Sequence, residues 1–170
     1  MSFKASLLDI WENQVIEGTN RKALASFQKA TKLWHKGGLL NQLRAMRIHN
    51  RNIRHYNCEI YPQANIGEGL YIPHCVGIVV GSTTVIGKNC TIYPNVVFGA
   101  SHSPKDVAVI GRRHAIVGDN CTFGANTSVI GAISIGHDVT IGAGAVITKN
   151  IPDYAIVVGV NQIIGYKEHP

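Results

Sequence analysis

The chain has 170 residues, 45% of them hydrophobic, and a formal net charge of +6. This length fits one domain with a small appendage, and the apolar content is sufficient for a buried core. The positive charge suits an anionic ligand such as a phosphorylated cofactor, but no RNA- or DNA-binding motif is present, so we expect no nucleic acid partner. The sequence has no signal peptide and no apolar run long enough to span a membrane, and we therefore predict a cytoplasmic protein, for which membrane association is possible but not expected.

Residues 1–56 have no short repeat, and their apolar spacing predicts three helices. The first is expected to end at Gly18, the second to be capped by Asn20, and the third to begin after Gly37 and Gly38. The third helix is basic, and its apolar residues are Leu39, Leu40, Leu43, Met46 and Ile48. We expect these helices to cap the structure that follows, because an uncovered strand edge promotes aggregation.

From residue 60 onward the sequence repeats with a period of six. Fourteen hexads open with an aliphatic residue or Phe, in three runs: Ile60, Ile66, Ile72 and Ile78; Val80, Ile86, Ile92 and Phe98; Val117, Phe123, Val129, Ile135, Ile141 and Ile147. A period of six is not helical, but it is a multiple of the two-residue period of a strand. Glycines after many openers allow the chain to turn, so short strands separated by corners are expected to stack into a solenoid.

The hexad pattern resembles that of the hexapeptide acyltransferases. The resemblance implies a mainly β fold, a left-handed parallel β-helix of triangular section, in which three hexads make one coil. We therefore expect a helical N-terminal cap over residues 1–56 and a left-handed β-helix acyltransferase domain over residues 57–170. The hexads are interrupted at a predicted loop of about 100–109, and a closing segment is expected at 151–170.

The cysteines and most of the histidines are interpreted as structural or surface residues. None of the four cysteines forms a CxxC pair, and Cys90 and Cys121 occupy the small inward position of their hexads. We therefore expect reduced thiols in the core. The histidines assigned to the surface are His35, His49, His55, His137 and His169.

The clearest motif consists of Glu59-Ile60-Tyr61-Pro62 and, further on, Ile72-Pro73-His74-Cys75-Val76-Gly77-Ile78-Val79-Val80-Gly81. These segments resemble the serine acetyltransferases and the related polysaccharide O-acetyltransferases, and the similarity extends over residues 58–165. It implies that His74 is the catalytic general base and that Glu59, fifteen residues earlier, orients it. The family more often has Asp at the position of Glu59.

Acetyl transfer to an alcohol needs a base, because an alcohol attacks a thioester poorly at neutral pH unless its proton is removed during the attack. A neutral imidazole, with an ordinary pKa of about 6.5, is suited to accept that proton. A carboxylate on the other ring nitrogen fixes the tautomer and stabilises the imidazolium. The thioester oxygen needs an N–H donor, which we expect in the region of Gly99 and Ala100.

Further site residues follow from the same resemblance. Arg113 and His114 match positions that line the acceptor site. Acetyl-CoA is expected in a groove between two neighbouring solenoids, where small residues let its pantetheine arm approach the backbone and Lys149 meets a phosphate. The matching small residues are Gly99, Ala100, Gly124, Ala125 and Ala143. Such a groove implies a homotrimer, and no metal ion is expected.

The expected acceptor is a hydroxyl of a saccharide from a capsule, an exopolysaccharide or a lipopolysaccharide. Serine acetyltransferases have an Asp immediately before the catalytic His, whereas this chain has Pro73, and it lacks their long helical N-terminal domain. Serine acetylation in cysteine biosynthesis is the alternative. Two other hypotheses are a γ-type carbonic anhydrase with zinc on His74, His102 and His114, whose typical His spacing is absent, and a scaffold without enzymatic activity.

Overall fold

The computed structural model describes residues 7–101 and 111–168, with side chains from residue 18 onward. In these stretches two helices are followed by fourteen short strands. The helices are α1 (Leu7–Lys36) and α2 (Leu39–Tyr56). The strands are β1 (Glu59–Ile60), β2 (Asn65–Ile66), β3 (Val79–Val80), β4 (Val85–Ile86), β5 (Thr91–Ile92), β6 (Val97–Gly99), β7 (Ile116–Val117), β8 (Thr122–Phe123), β9 (Ser128–Ile130), β10 (Ser134–Ile135), β11 (Thr140–Ile141), β12 (Val146–Ile147), β13 (Ala155–Val158) and β14 (Gln162–Tyr166).

Helix α1 is continuous where the sequence predicted a break. It passes through Gly18 and Asn20, so the prediction that a first helix ends at Gly18 and that Asn20 caps a second is wrong. A glycine inside a helix costs only about 1 kcal/mol relative to alanine, which tertiary packing of the helix can outweigh. Gly37 and Gly38 do separate α1 from α2, and both have positive φ angles.

The buried side of α2 differs from the one that its leucines predicted. The three leucines at its start are exposed, and its buried residues are Ala45, His49 and Asn52. His49 donates from Nδ1 to the carbonyl oxygen of Ile60 (3.1 Å), and its ring contacts that of Tyr61. The assignment of His49 to the surface is therefore wrong, because this ring joins α2 to β1.

The strands form three parallel sheets, which are the faces of a prism. The first face contains β1, β3, β6, β9 and β12, the second contains β2, β4, β7 and β10, and the third contains β5, β8, β11 and β13. Strand β14 pairs antiparallel with β13 at the edge of the third face. Because consecutive strands up to β13 lie on different faces, the chain passes from face to face as it coils. The parallel β-helix predicted from the hexads is confirmed.

The hexad openers fill the interior of the prism. Phe98 and Phe123 are completely buried, and their rings meet edge to face with centroids 5.0 Å apart. Burial of each such side chain contributes about 1.5–3 kcal/mol. Cys90 and Cys121 are also buried, and all four cysteines are free, which agrees with the prediction of reduced core thiols.

Helix α1 packs on the N-terminal end of the prism. Ala23 and Phe27 belong to the same buried cluster as Ile60, Ala64 and Leu70. The helix thereby supplies apolar cover where the first coil has no preceding coil to stack on. Within the described residues, neither helix is long and apolar enough to cross a membrane.

The stacking of the coils is irregular at three places, one of which is the final coil, where paired residues such as Thr140 and Ile156 are only sixteen positions apart. In the regular part, paired residues are eighteen positions apart, as Val79 and Val97 are. Between the first two coils the separation is twenty, as for Glu59 and Val79. Between the second and third coils it rises to thirty-one, as for Val85 and Ile116. The chain therefore carries two extra residues just before β3 and thirteen extra residues between β6 and β7.

At two of the three corners of the prism, every coil has a residue with a positive φ angle. Those at the corner between the third and first faces, the third–first corner, are Asn57, Gly77, Asn95, Asn126 and Gly144. Those at the corner between the second and third faces are Gly69, Asn89, Asn120, Asp138 and Tyr154. Asparagine tolerates this conformation better than most residues, and Asn95 donates to the Asn126 side chain of the next coil (3.1 Å). The remaining corner, the first–second corner, holds the thirteen extra residues.

Candidate functional site

His74 lies in the expanded stretch before β3, beside the third–first corner. Its neighbour Cys75 points inward and is buried, as is Ile78, whereas the side chain of His74 is exposed. An extra pair of residues in an otherwise regular ladder bends the chain outward, and such irregularities re-aim side chains next to active sites. His74 is therefore presented outward on a segment that is anchored in the core.

Both helices reach the His74 segment. A cleft of about 300 Å³ is lined by residues from α1, α2 and this segment, among them Thr19, Asn20, His55, Tyr56, His74 and Val76. The Asn20 side chain donates from Nδ2 to the carbonyl oxygen of Pro73, and its Oδ1 accepts from the N–H of Cys75 (3.3 Å). The helical part of the chain is thus a wall of the pocket in which His74 lies.

Glu59 lies on the outward side of β1 and is half-buried. Its carboxylate accepts a hydrogen bond from the Tyr61 hydroxyl, which raises the pKa of Tyr61. In the two described stretches of the chain, no hydrogen bond or ion pair joins Glu59 to His74. The orientation of His74 by Glu59 stays a prediction.

His114 is held by a network around Thr83. The Thr83 hydroxyl oxygen accepts from the backbone N–H groups of Arg113 (3.1 Å) and His114 (3.2 Å), and it lies 2.7 Å from Nδ1 of His114. Because both lone pairs of the hydroxyl are used, its hydrogen is donated to Nδ1. The backbone N–H of Thr83 also donates to Nδ1 (3.3 Å). Nδ1 is therefore unprotonated, and the ring proton is on Nε2.

The environment of His114 favours the neutral ring. Its side chain is 8% exposed, and burial followed by the nearby Arg113 charge lowers the pKa of His114. The Nε2 edge packs over the backbone of Gly81, where a methyl group would overlap the ring. At neutral pH His114 is thus a fixed N–H donor and not a base, in contrast to the exposed His74.

The adjacent arginines Arg112 and Arg113 make different contacts. The side chain of Arg112 donates to the carbonyl oxygens of His114 (3.3 Å) and Ile133 (3.2 Å), so it ties the incoming chain to the next coil. Arg113 is exposed, and its backbone N–H is the group that bonds to Thr83. The Arg113 guanidinium therefore lies at the surface beside His114.

The predicted site residues fall into two groups at opposite ends of the first face. Those near the third–first corner are Glu59, His74, Gly124, Ala125 and Ala143. Those near the first–second corner are Gly99, Ala100, Arg113, His114 and Lys149. The two candidate histidines, His74 and His114, consequently lie at different corners of one chain.

Metal binding finds no support in the part of the chain that the structure describes. Within residues 7–101 and 111–168, no group of three or more His, Cys, Asp or Glu side chains is arranged to hold a metal ion. His102, which the carbonic anhydrase hypothesis required, lies outside the described residues, as does most of the loop predicted at about 100–109.

Two contacts in the site were missed by the sequence reasoning. Nothing in the sequence indicated the role of Thr83, because a threonine at a corner of a hexad repeat can be present for many reasons unrelated to a functional site. Asn20 was misassigned to a helix cap. A signal for an irregular segment did exist, since the hexad phase shifts by two between Ile78 and Val80, but the phase shift does not say which residue contacts the segment.

A family model described as "Hexapeptide repeat of succinyl-transferase" matches residues 114–149. A serine acetyltransferase of Mycobacterium tuberculosis is 43% identical over 111 residues, which is 65% of this chain and 46% of that protein. Serine acetyltransferase 2 of Arabidopsis thaliana is 33% identical over 137 residues, 81% of this chain and 40% of that protein. The chain belongs to the hexapeptide-repeat acyltransferases. It spans less than half the length of these two relatives.

Solved structures extend the similarity beyond the hexad repeat into the helical segment of this chain. Serine acetyltransferase from Brucella abortus superposes with a TM-score of 0.75 at 30% identity, covering 85% of this chain and 55% of that one. Neisseria gonorrhoeae serine acetyltransferase in complex with serine gives a TM-score of 0.71 at 34% identity, covering 81% and 53%. The left-handed β-helix with a helical N-terminal segment is thereby confirmed.

These relatives overturn the expected acceptor. The prediction of a saccharide acceptor, and with it of a role in polysaccharide biosynthesis, is wrong, because the similar proteins are serine acetyltransferases. One premise was that this chain lacks the long helical N-terminal domain of those enzymes, but Asn20 of α1 and Tyr56 of α2 line the cleft beside His74. The other was Pro73, whose carbonyl oxygen is used to bind Asn20.

Proposed function

We propose that this protein is a serine O-acetyltransferase that transfers the acetyl group of acetyl-CoA to the hydroxyl of serine. The observation that carries the proposal is the 43% identity, over 111 residues, to a protein named serine acetyltransferase. A structure solved with serine, 34% identical to this chain, supports the same acceptor. Acetyl-CoA as donor agrees with the cytoplasmic location predicted from the sequence.

In the proposed reaction His74 acts as the general base. Its imidazole removes the proton of the serine hydroxyl while the oxygen attacks the thioester carbon. The tetrahedral intermediate collapses, the carbon–sulfur bond breaks, and the imidazolium returns its proton to the CoA thiolate. The exposed position of His74 at the edge of a cleft leaves its ring accessible to a small acceptor. Glu59 is proposed to stabilise the imidazolium once substrates are bound.

His114 and Arg113 are proposed to bind the acceptor. Thr83 keeps the proton of His114 on Nε2, so this nitrogen can donate a hydrogen bond to a carboxylate or to a developing oxyanion. The exposed Arg113 guanidinium offers a planar pair of donors that matches the serine carboxylate. For the donor, Gly99, Ala100, Gly124, Ala125 and Ala143 are proposed to line the pantetheine groove, with Lys149 at a phosphate.

We propose that the active site is shared between two chains of a homotrimer. His74 lies at the third–first corner and His114 at the first–second corner, so one chain presents the two halves of the site at different edges. Rotation about a threefold axis parallel to the prism would bring the first–second corner of one copy against the third–first corner of the next. Three equivalent sites would result.

Turnover of serine is the decisive experiment for the proposed activity. The full chain is incubated with acetyl-CoA and L-serine, D-serine, L-threonine or glucose, and free CoA is measured with a thiol reagent while mass spectrometry identifies the product. We expect O-acetylserine and a kcat/KM for L-serine well above that for the other acceptors. Absence of serine-dependent CoA release would refute the proposal.

Mixed trimers test the shared site. His74→Ala and His114→Ala chains are co-expressed in equal amounts with different tags, and the mixed assemblies are purified through both tags. If each site takes His74 from one chain and His114 from its neighbour, every mixed trimer regenerates one of its three sites, so about one third of the sites should be active. Activity no greater than that of the parent variants would place both histidines in the same site of a single chain.

A further inference from the structure

The backbone around His74 lacks the hydrogen-bond partners that neighbouring coils of the β-helix supply elsewhere. Before this segment, Tyr71 donates to the carbonyl oxygen of Cys90, and after it the carbonyl oxygen of Val76 accepts from Asn95. Between these bonds, within the described part of the chain, no backbone group of residues 72–75 pairs with a neighbouring coil. Pro73 contributes to the gap, because it has no N–H at the position where Tyr93 of the next coil donates to Phe123, and the two extra residues of this coil follow directly before β3.

Asn20 fills this gap from the middle of α1. Its amide donates to the carbonyl oxygen of Pro73 and accepts from the N–H of Cys75, the residues on either side of His74. A strand would bond the same two groups if it paired with the segment at His74. The orientation of the amide is fixed by its partners, because a carbonyl can only accept and an N–H can only donate.

We propose that Asn20 is a positioning residue that fixes the backbone on both sides of His74 and thereby aims the imidazole at the acceptor. The inference rests on the proposed role of His74 as general base. A base displaced by about 1 Å can lose about a hundredfold in rate, so two bonds that hold its backbone bear directly on catalysis. Both side-chain bonds of Asn20 go to the backbone beside His74, so we place its effect on the reaction in the position of His74.

The chemistry of the two bonds requires an amide at this position. Aspartate would turn an oxygen toward the Pro73 carbonyl oxygen and repel it, although it could still accept from Cys75. Alanine removes both bonds but improves the helix, since alanine has a higher helix propensity than asparagine. A loss of activity in Asn20→Ala therefore cannot come from a weakened helix α1.

Steady-state kinetics of Asn20→Ala and Asn20→Asp, measured with the intact oligomer, test the proposal. We expect kcat to fall about 10–100-fold in both variants, with the KM for acetyl-CoA unchanged, because the donor site is built from other segments. Asn41→Ala is the matched control. Asn41 also bonds a backbone carbonyl, that of Gly37, but it lies away from His74, so its kcat should be that of the wild type.

A double variant separates positioning from general stability. In a His74→Ala background the base is absent, so Asn20→Ala should lower the residual rate no further. A structural role would lower the rate again. Wild-type kcat in Asn20→Ala, or additive losses in the double variant, would overturn the proposal.

Hydrogen exchange of the Cys75 amide gives a readout that does not depend on activity. This N–H should be protected, because its bond to Asn20 closes it from water, and Asn20→Ala should expose it. Rapid exchange in the wild type would show that the bond does not exist in solution and refute the proposal. A protected amide in a protein that does not acetylate serine would instead refute the proposed function, together with the catalytic part of this inference.

Discussion

Replacement of Thr83 by valine is expected to damage the site through His114. Valine has the shape of threonine but lacks the hydroxyl. The N–H of Arg113, the N–H of His114 and Nδ1 of His114 therefore lose their hydrogen bonds to this hydroxyl together. A typical net hydrogen bond is worth about 0.5–1.5 kcal/mol. Because Thr83 is exposed and water can replace the hydroxyl at the two amides, we expect the free energy of unfolding to fall by about 2 kcal/mol.

The larger consequence concerns the ring proton of His114. Without the hydroxyl, only the longer bond from Thr83 N holds Nδ1 unprotonated. Part of the population then carries its proton on Nδ1 and offers no donor from Nε2. We expect kcat/KM for serine to fall about tenfold, equivalent to about 1.4 kcal/mol. The hydroxyl also favours the neutral ring, so its loss should raise the pKa of His114 and move the acid limb of the pH–rate profile to higher pH.

The assay is kcat/KM for serine as a function of pH, with Thr83→Ser as the control that retains the hydroxyl. Thr83→Ser should stay near the wild type in rate, in stability and in its acid limb. Equal damage in Thr83→Ser and Thr83→Val would show that the methyl group and not the hydroxyl matters. An unchanged rate in Thr83→Val would refute the assignment of the tautomer.

Three other predictions concern the same region. Gly81→Ala should abolish most activity, because the new methyl overlaps the His114 ring, whereas Gly165→Ala meets no atom within 4 Å and should be neutral in the same assay. The pKa of His114 is lowered by burial, so the unfolded chain binds more protons than the folded chain does. The free energy of unfolding should therefore fall as the pH drops from about 6.5, the ordinary pKa, toward the lowered pKa of the folded state. Urea unfolding measures this effect, and the pH dependence should be smaller in His114→Gln. Glu59→Gln should reduce kcat less than His74→Ala does, and an equal loss would make Glu59 indispensable to proton removal.

The regular part of the fold could be predicted from the sequence because it is governed by local periodicity. Each hexad opener must be buried, as Phe98 and Ile141 are, and one hexad cannot achieve this alone. The helical segment was less accessible to this reasoning. The leucines at the start of α2 suggested an apolar face, but the contact with β1 is made through His49, whose burial depends on a carbonyl partner that is distant in sequence.

The candidate site could be predicted only as far as its residue types are distinctive. His74 and His114 stand out as chemical groups in an unusual position of the repeat, whereas Thr83 and Asn20 act through hydrogen bonds across thirty-one and fifty-five residues. Such bonds depend on the tertiary path of the chain and leave no local pattern. The acceptor was mispredicted for the same reason, because the contribution of α1 to the pocket is tertiary.

Because the ladder has a gap at residues 72–75, the β-helix of this chain can stay folded while His74 loses the position that the proposed activity requires. Coils from β3 onward pair with one another and depend on no helix for their backbone partners. A protease that removed α1 would leave that stack assembled, yet it would release the Pro73 carbonyl and the Cys75 amide from Asn20. The β-sheet content would stay the same, while the segment that carries His74 would lose the side chain that holds its backbone. An intact β-helix is therefore an insufficient criterion of an active preparation.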